Sequence, residues 1–264
     1  MNVFKQHYKN STSLFLTSLI GISLGGCLVK LQLPQLQEAK QAQLGKDEYT
    51  KAVEAEKTQL SFLKNAPAFG FDNLVASQSM LKFLQYVGDS RARKQTGYSL
   101  SYKYLELIAE KDPRFAEAYI MISPASSVFG GTPQKTIELM DKGLEYLTPD
   151  IDRAYVVWLY KAVDEVLFIG DLEKAQKSYK KASEWAAIAG DEFIARAAKD
   201  SAEFLSTEPD TRQAQVGAWF TVWTNTREKS VRHIAETEIK RLGGTLTVYP
   251  DGRVEAKPPK IENS

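Results

Sequence analysis

Few residues in this chain have a type and spacing that could carry out chemistry. Asp164 and Glu165 form an adjacent acid pair, and paired carboxylates catalyse glycoside hydrolysis when both flank one bond. Neighbouring residues on a helix point about 100° apart, so we expect this pair to be surface charges or partners of Lys161 instead. His233 could act as a general base, but it stands in a charged helical pattern, which predicts a solvated surface histidine.

Two glycine-containing motifs also fail to indicate a reaction. The segment 21–25 matches G-x-S-x-G, the nucleophile elbow of hydrolases, but it lies inside an apolar run and not in a strand–turn–helix context. The segment 130–133 lacks the Lys-Ser/Thr sequel of a phosphate loop and predicts a turn between helices. With two histidines and one cysteine, the chain also lacks the residues for most metal clusters. We therefore predict no catalytic residue, no metal and no cofactor.

The composition is that of a folded, nearly neutral protein. The 264 residues are 43% hydrophobic and 25% charged, which excludes a mainly disordered chain. This length suits one sizeable domain, or one domain with an anchor. The 34 basic residues almost cancel the 33 acidic ones, so no basic field is present to attract a polyanion. We therefore expect no nucleic-acid partner.

The N-terminus has the layout of an export signal. Lys5 and Lys9 precede an apolar run at 14–29, and no acidic residue lies before it. Leu24-Gly25-Gly26-Cys27 resembles the lipobox of bacterial lipoproteins, which implies that residues 1–27 are a signal and that Cys27 is lipidated. The alternative is an uncleaved membrane anchor, although the run is shorter than the roughly 20 residues of a spanning helix. Both readings place the body on the periplasmic or thylakoid-lumenal side of a membrane.

Residues 28–71 are predicted to form a helical stalk. The segment is rich in Gln, Lys, Glu and Ala, which favour a solvated helix. A thin apolar stripe of Leu44, Val53, Leu60 and Leu63 leaves a second possibility open, in which this helix docks on the body or pairs with a partner helix.

Residues 72–189 predict antiparallel helix pairs. Helical stretches, beginning with one at 73–87 that stops at Gly88, alternate with breaks at Gly or Pro, and the apolar spacing is three and four. Five positions recur at offsets 0, 2, 5, 9 and 12, and small residues at offsets 5 and 12 would let two helices approach. They are Gly170, Leu172, Ala175, Tyr179 and Ala182, then Gly131, Pro133, Thr136, Met140 and Gly143, with the last three offsets kept by Ser101, Leu105 and Ile108.

This pattern resembles tetratricopeptide (TPR) repeats, in about three divergent units. The resemblance implies an all-α array of helix pairs whose first helices line a concave groove for a partner peptide. It makes Tyr119, Tyr155, Trp158 and Lys161 the candidate partner-binding residues; the alternative is that they belong to the core between repeats. A generic helical bundle is the alternative to the repeat fold. The segments 70–89 and 155–179 are also similar to uncharacterised, membrane-anchored TPR-like proteins of cyanobacteria.

Residues 190–264 are predicted to hold C-terminal helices, a hairpin and a tail. One helix should end at Leu205 and a second should run over roughly 211–242. Thr245–Tyr249 and Arg253–Glu255, separated by Pro-Asp-Gly, indicate a small β-hairpin.

The function that we expect is non-catalytic. A membrane-anchored, TPR-like scaffold would bind a protein partner, a subunit of a membrane complex, and help to assemble or maintain that complex. The first alternative is a solute-binding lipoprotein whose aromatic side chains line a ligand pocket. The second is an enzyme that uses Asp164, Glu165 or His233.

Overall fold

The structure, a computed structural model, describes Lys30 and residues 46–259 and is mostly helical. The predicted anchor of residues 1–27, with Cys27 and the motif at 21–25, lies outside the described residues. Apart from the first three residues of the first helix, the features below belong to the compact unit that begins at Tyr49. Its α-helices are α1 (Lys46–Asn65), α2 (Asp72–Gly88), α3 (Ser90–Thr96), α4 (Ser101–Lys111), α5 (Ala116–Ile122), α6 (Pro133–Leu144), α7 (Ala154–Asp164), α8 (Leu172–Ile188), α9 (Glu192–Leu205), α10 (Arg212–Asn225) and α11 (Lys229–Arg241).

The predicted C-terminal hairpin is confirmed. Strands β1 (Thr245–Val248) and β2 (Val254–Lys257) pair antiparallel, with Thr245 opposite Lys257 and Val248 opposite Val254. Among the described residues, no helix has both the length and the apolar character needed to cross a bilayer.

Helix α1 covers the described part of the predicted stalk, and it is not a solvated spacer. Leu60 is buried in the main core, and Val53 and Leu63 pack against the same core. Lys64 adds ion pairs of 3.1 Å to Glu106 and 2.9 Å to Glu110 on α4. The apolar stripe therefore docks α1 on the body, which was the second of the two possibilities; Leu44 lies outside the described residues.

Helices α2 and α4 pack antiparallel in the main core. Asp72 at the start of α2 pairs with Lys111 at the end of α4 (3.4 Å), while the Tyr86 hydroxyl near the end of α2 accepts the Leu100 N–H (3.1 Å). The predicted helix over 73–87 is confirmed as α2, because the chain leaves the helix after Gly88.

Helices α8 and α9 are the most extensively packed helix pair, and the residues that each of them buries are mostly alanines. Since alanine side chains are small, the two helix axes can approach closely without leaving cavities. The buried alanines are Ala175, Ala182 and Ala186 on α8 and Ala195, Ala198 and Ala202 on α9.

The predicted single helix over 211–242 is wrong, because the chain turns back between α10 and α11. Thr226 has an extended backbone and its Oγ1 accepts the N–H of Glu228 at 3.1 Å. The reversal packs the two helices against each other. It buries Trp219 and Trp223 of α10 in one apolar cluster with residues of α11, namely Val231, Ala235 and Ile239.

Two segments continue α-helices as π-helices, which the sequence did not predict. The first, π1, covers Ser123–Val128 and follows α5 directly; the second, π2, covers Glu165–Ile169 and follows α7 directly. π-helices are rare and often mark functional positions. Both segments adjoin the polar cluster described below.

Candidate functional site: an apolar cleft on helix α7

Helix α7 is apolar on the side that faces away from the core. Ala154 and Val157 point inward and are fully buried. The opposite side of the helix carries no charged residue, and with Ile194 it lines a cleft of about 360 Å³. The α7 residues of this cleft are Tyr155, Val156, Leu159, Tyr160 and Val163, all of them half-buried or exposed.

A hydrogen bond between two helices fixes one wall of this α7 cleft. The Tyr155 hydroxyl donates to Oδ2 of Asp191 at 2.8 Å, and Oδ1 of Asp191 caps α9 by accepting the Ile194 N–H at 3.1 Å. The backbone bond from Ile194, followed by the bond from Tyr155, lowers the pKa of Asp191. The hydrogen bond to Asp191 and partial burial raise the pKa of Tyr155. At neutral pH the wall therefore consists of a neutral phenol and a carboxylate.

Arg153 stands at the rim of the α7 cleft in an unusual backbone conformation. Its φ is +56°, in the left-handed region that non-glycine residues seldom adopt, and it immediately precedes α7. Together with Asp191 it places one positive and one negative side chain beside an otherwise apolar surface.

Tyr119, predicted to bind a partner, is a core residue. Its side chain is 2% exposed, its ring packs against Gly143 and its hydroxyl donates to the Pro113 carbonyl at 3.2 Å. The expectation of an exposed anchor at this position is therefore corrected. Tyr119 contributes only a small part of the wall of a second cleft, of about 270 Å³, where Tyr146 is the exposed aromatic residue.

Trp158 and Lys161 face α8, away from the α7 cleft. The Trp158 ring stands edge-on to Trp185, with 5.9 Å between centroids, and the Lys161 ammonium lies 5.5 Å from the Trp158 ring centre. Within the described residues, the buried indole N–H of Trp158 has no hydrogen-bond partner. Only Tyr155, of the four predicted residues, lines the α7 cleft.

Lys161 belongs to a buried ionic cluster between α7 and α8, so its predicted exposure is also corrected. Its ammonium donates to Glu165 Oε1 at 2.5 Å and to Ser178 Oγ at 3.2 Å, and lies 3.3 Å from Asp141. Ser178 in turn donates to Glu165 Oε2 at 2.7 Å. Glu165 is thus a partner of Lys161, as one alternative predicted, but neither residue is a surface charge.

Asp164 lies beside Glu165 in the chain but points toward the first π-helix. It is 1% exposed and accepts hydrogen bonds from Ser123 (2.8 Å) and Ser127 (2.6 Å), with one carboxylate oxygen for each hydroxyl. Burial raises the pKa of Asp164 to about 6, although the two serine hydroxyls lower it. Asp164 and Glu165 therefore bind different partners, as expected for adjacent helical residues that point in different directions. They do not flank a common reaction site.

The sequence contains a signal for these buried charges that the prediction did not use. Lys161, Asp164 and Glu165 interrupt a stretch that is otherwise apolar from Val156 to Ile169. Charges inside such a stretch must find partners when the helix is buried. The i, i+4 spacing of Lys161 and Glu165 supplies one of those partners.

Two further predictions can be checked directly. His233 is exposed on α11, as predicted. The segment 130–133 is a turn between helices: Gly131 has φ +62° and Pro133 begins α6.

Comparisons with known proteins add no identification: no protein-family model matches the chain, and no curated protein matches it significantly. The chemistry of the site therefore rests on its own geometry. The α7 cleft presents apolar and aromatic side chains with a phenol hydroxyl and two opposite charges at its edge. Such a surface is suited to burying apolar side chains of a ligand and to orienting its polar groups.

Proposed function

We propose that this protein is a membrane-tethered scaffold whose TPR-like helical body binds a segment of a protein partner, a subunit of a membrane complex. The observation that carries the proposal is the uncharged outer side of α7, which carries two tyrosines among aliphatic residues. In a soluble helix that side would normally bear charged residues, because a helix that is apolar all round is usually buried. A partner segment that covers Tyr155, Leu159 and Tyr160 would complete the burial.

The burial of the recurring positions is compatible with a repeat architecture and also with a generic helical bundle. The residues at offsets 5, 9 and 12 lie inside the body, as expected if helix pairs stack through them. Ser101, Leu105, Ile108, Thr136, Met140, Gly143, Ala175 and Ala182 are buried, and Tyr179 is half-buried.

The membrane tether of the proposal comes from the sequence. The apolar run at 14–29 and its resemblance to a lipobox indicate attachment through lipid on Cys27 or through an uncleaved anchor. The body would then lie on the periplasmic or thylakoid-lumenal side. A tether also raises the effective concentration of partners in the same membrane.

The test uses the full chain, purified from its native membranes after gentle solubilisation. A photoreactive benzoylphenylalanine replaces Tyr160 in the α7 cleft, and crosslinked proteins are identified by mass spectrometry. We expect one membrane-complex subunit to be captured, and Leu159→Glu to abolish its capture by placing a carboxylate in the covered surface. Ile188→Glu is the matched control, because Ile188 is an exposed apolar residue on α8. Equal capture by the Leu159 and Ile188 variants, with both folded by circular dichroism, would contradict partner binding at the α7 cleft.

Solute binding is the alternative, and the volume of the α7 cleft favours it over other non-scaffold functions. About 360 Å³ lies within the range of small-molecule sites. If a sugar or short peptide raises the melting temperature in a saturable way, and Leu159→Glu abolishes this rise, the protein is a solute-binding protein and not a scaffold.

A further inference from the structure

The outer side of α2 is a second uncharged helical surface, remote in sequence from α7. Leu74, Leu81 and Leu84 are exposed there, and Leu81 is 62% exposed. The residues between them on this side, Ser77, Gln78 and Gln85, are exposed and uncharged. At 1.5 Å per residue, this surface runs along α2 for roughly 17 Å, from Leu74 to Gln85.

The outer surfaces of α8 and α9 differ from that of α2. The exposed sides of α8 and α9 carry a charged residue in almost every turn. These residues are Glu173, Lys177, Lys180, Lys181 and Glu184 on α8 and Glu192, Arg196, Lys199, Asp200 and Glu203 on α9. The absence of charge on the outer side of α2 is therefore a local property of this helix.

The turn that leads into α2 extends the same surface with two phenylalanines. Phe69 is 86% exposed, although its backbone is held at φ +51°, and Phe71 immediately before α2 is also exposed. A left-handed conformation is unfavourable for a bulky residue other than glycine. The turn thus holds a large apolar side chain in solvent, and no burial of its ring offsets the strain.

The charged residues of the α2–α3 segment are mainly basic. Among the described residues, Lys82, Arg91 and Lys94 form no salt bridge, and Arg91 and Lys94 are exposed on α3, which follows α2 after one residue. The two acidic residues of the same segment, Asp72 and Asp89, both have partners. Asp72 pairs with Lys111, and Asp89 caps α3 by accepting the Ala92 N–H at 3.0 Å.

We propose that the outer side of α2, together with Phe69 and Phe71, rests on an anionic lipid surface. Exposed Leu and Phe side chains enter the interfacial region of a bilayer, and neighbouring Lys and Arg side chains are attracted to anionic headgroups. The inference rests on the membrane tether of the proposed function.

The experiment reconstitutes the full chain into vesicles of three parts phosphatidylcholine to one part phosphatidylglycerol. A photoreactive benzoylphenylalanine replaces Leu81, and in a matched control it replaces Phe193, an equally exposed apolar residue on α9 (74% exposed). We expect lipid adducts at position 81 to exceed those at position 193 at least tenfold. Arg91→Gln and Lys94→Gln should each lower the adduct yield about fivefold, the value of one basic residue near an anionic surface.

The outcomes separate this inference from the proposed function. Lipid adducts confined to position 81 support it, and they should decrease in pure phosphatidylcholine vesicles. If the chain floats with the vesicles but position 81 forms adducts only with protein, or none at all, then the lipid contact is wrong while the tether stands. If the chain does not float with the vesicles, the tether and the lipid contact are both wrong.

Discussion

Gly143 on α6 lies directly against the ring of Tyr119 on α5. A Cβ at this position would overlap Cδ1, Cε1 and Cζ of the ring, and Tyr119 is held by core packing and by its bond to Pro113. Gly143→Ala should therefore lower the free energy of unfolding by about 1–3 kcal/mol, as overpacking does elsewhere. Urea denaturation followed by circular dichroism measures the change.

The control for Gly143 is Gly217 on α10, where a Cβ would meet no atom within 4 Å. Gly217→Ala should raise the free energy of unfolding by about 0.5–1 kcal/mol, because alanine is favoured within a helix. If the two alanine variants have the same effect, the close approach of Gly143 and Tyr119 does not exist as described.

Asp164 should make the protein more stable as the solution becomes mildly acidic. Its pKa is about 6 in the folded chain, against 3.8 for a solvent-exposed aspartate such as that of the unfolded chain. Ionisation of Asp164 above pH 6 therefore opposes folding. The resulting decrease in the free energy of unfolding is fully present above about pH 7. It disappears as the pH falls toward 3.8. Between pH 7.5 and pH 5 we expect the free energy of unfolding to rise by about 1–1.5 kcal/mol from this residue.

The Asp164→Asn variant tests the source of that pH dependence. An amide imitates the protonated acid and can still bond to Ser123 and Ser127, so the variant should match or exceed wild-type stability at pH 7.5. It should lack the rise between pH 7.5 and pH 5, whereas Asp191→Asn should retain it, because the pKa of Asp191 is lowered. Loss of stability at pH 7.5 in Asp164→Asn would show that the ionised form is the favoured one.

The contributions of Lys161 and Glu165 to the free energy of unfolding should be strongly coupled. Lys161→Met leaves Glu165 buried without its cation and should cost about 3–5 kcal/mol of unfolding free energy. Adding Glu165→Gln should recover most of this loss, and a double-mutant cycle gives the coupling. Lys177→Met, in an exposed pair with Glu173 (2.6 Å), is the control and should leave stability almost unchanged, because water screens an exposed pair. Additive effects of the two buried substitutions would contradict the pairing.

Phe69→Gly should stabilise the protein by up to about 1 kcal/mol. Glycine adopts φ +51° without strain, and the exposed ring makes little contribution to the core. Phe71→Gly is the matched control: Phe71 is also exposed but has φ −102°, so glycine there should destabilise the chain slightly. Equal effects in thermal unfolding would mean that the turn before α2 is not strained.

The helix boundaries at which glycine or proline occurs could be predicted from the sequence. Gly170 and Gly190 adopt positive φ where helices end, and Pro133 begins α6. The hairpin was predicted for the same reason, since Pro-Asp-Gly separates two short strand patterns. In each case a local backbone preference, independent of the rest of the fold, determines the outcome.

The break between α10 and α11 could not be predicted in this way. The residues at 226–228 include neither glycine nor proline, and the helical pattern continues through them. Burial of Trp219 and Trp223 against α11 requires the chain to reverse, and within the turn the Thr226 hydroxyl accepts the N–H of Glu228, the residue before α11. A tertiary requirement overrides the local pattern.

The orientation of the candidate site also depended on tertiary contacts. The sequence identified α7 as the helix of interest, and Tyr155 does line its cleft. It did not reveal which side of α7 faces α8, and for that reason Trp158 and Lys161 were assigned to the wrong side. Tyr119 was misplaced because the close approach of Gly143 depends on a contact between α5 and α6.

The many buried alanines of α8 and α9 have a consequence for the order of folding. Alanine loses no side-chain rotamer freedom when it is buried, so packing these two helices costs mainly backbone entropy. The contacts also join segments that are adjacent in the chain, and local contacts form quickly. We therefore expect the α8–α9 hairpin to be structured in the folding transition state, so that substitutions at Ala182 or Ala198 slow folding more than they accelerate unfolding.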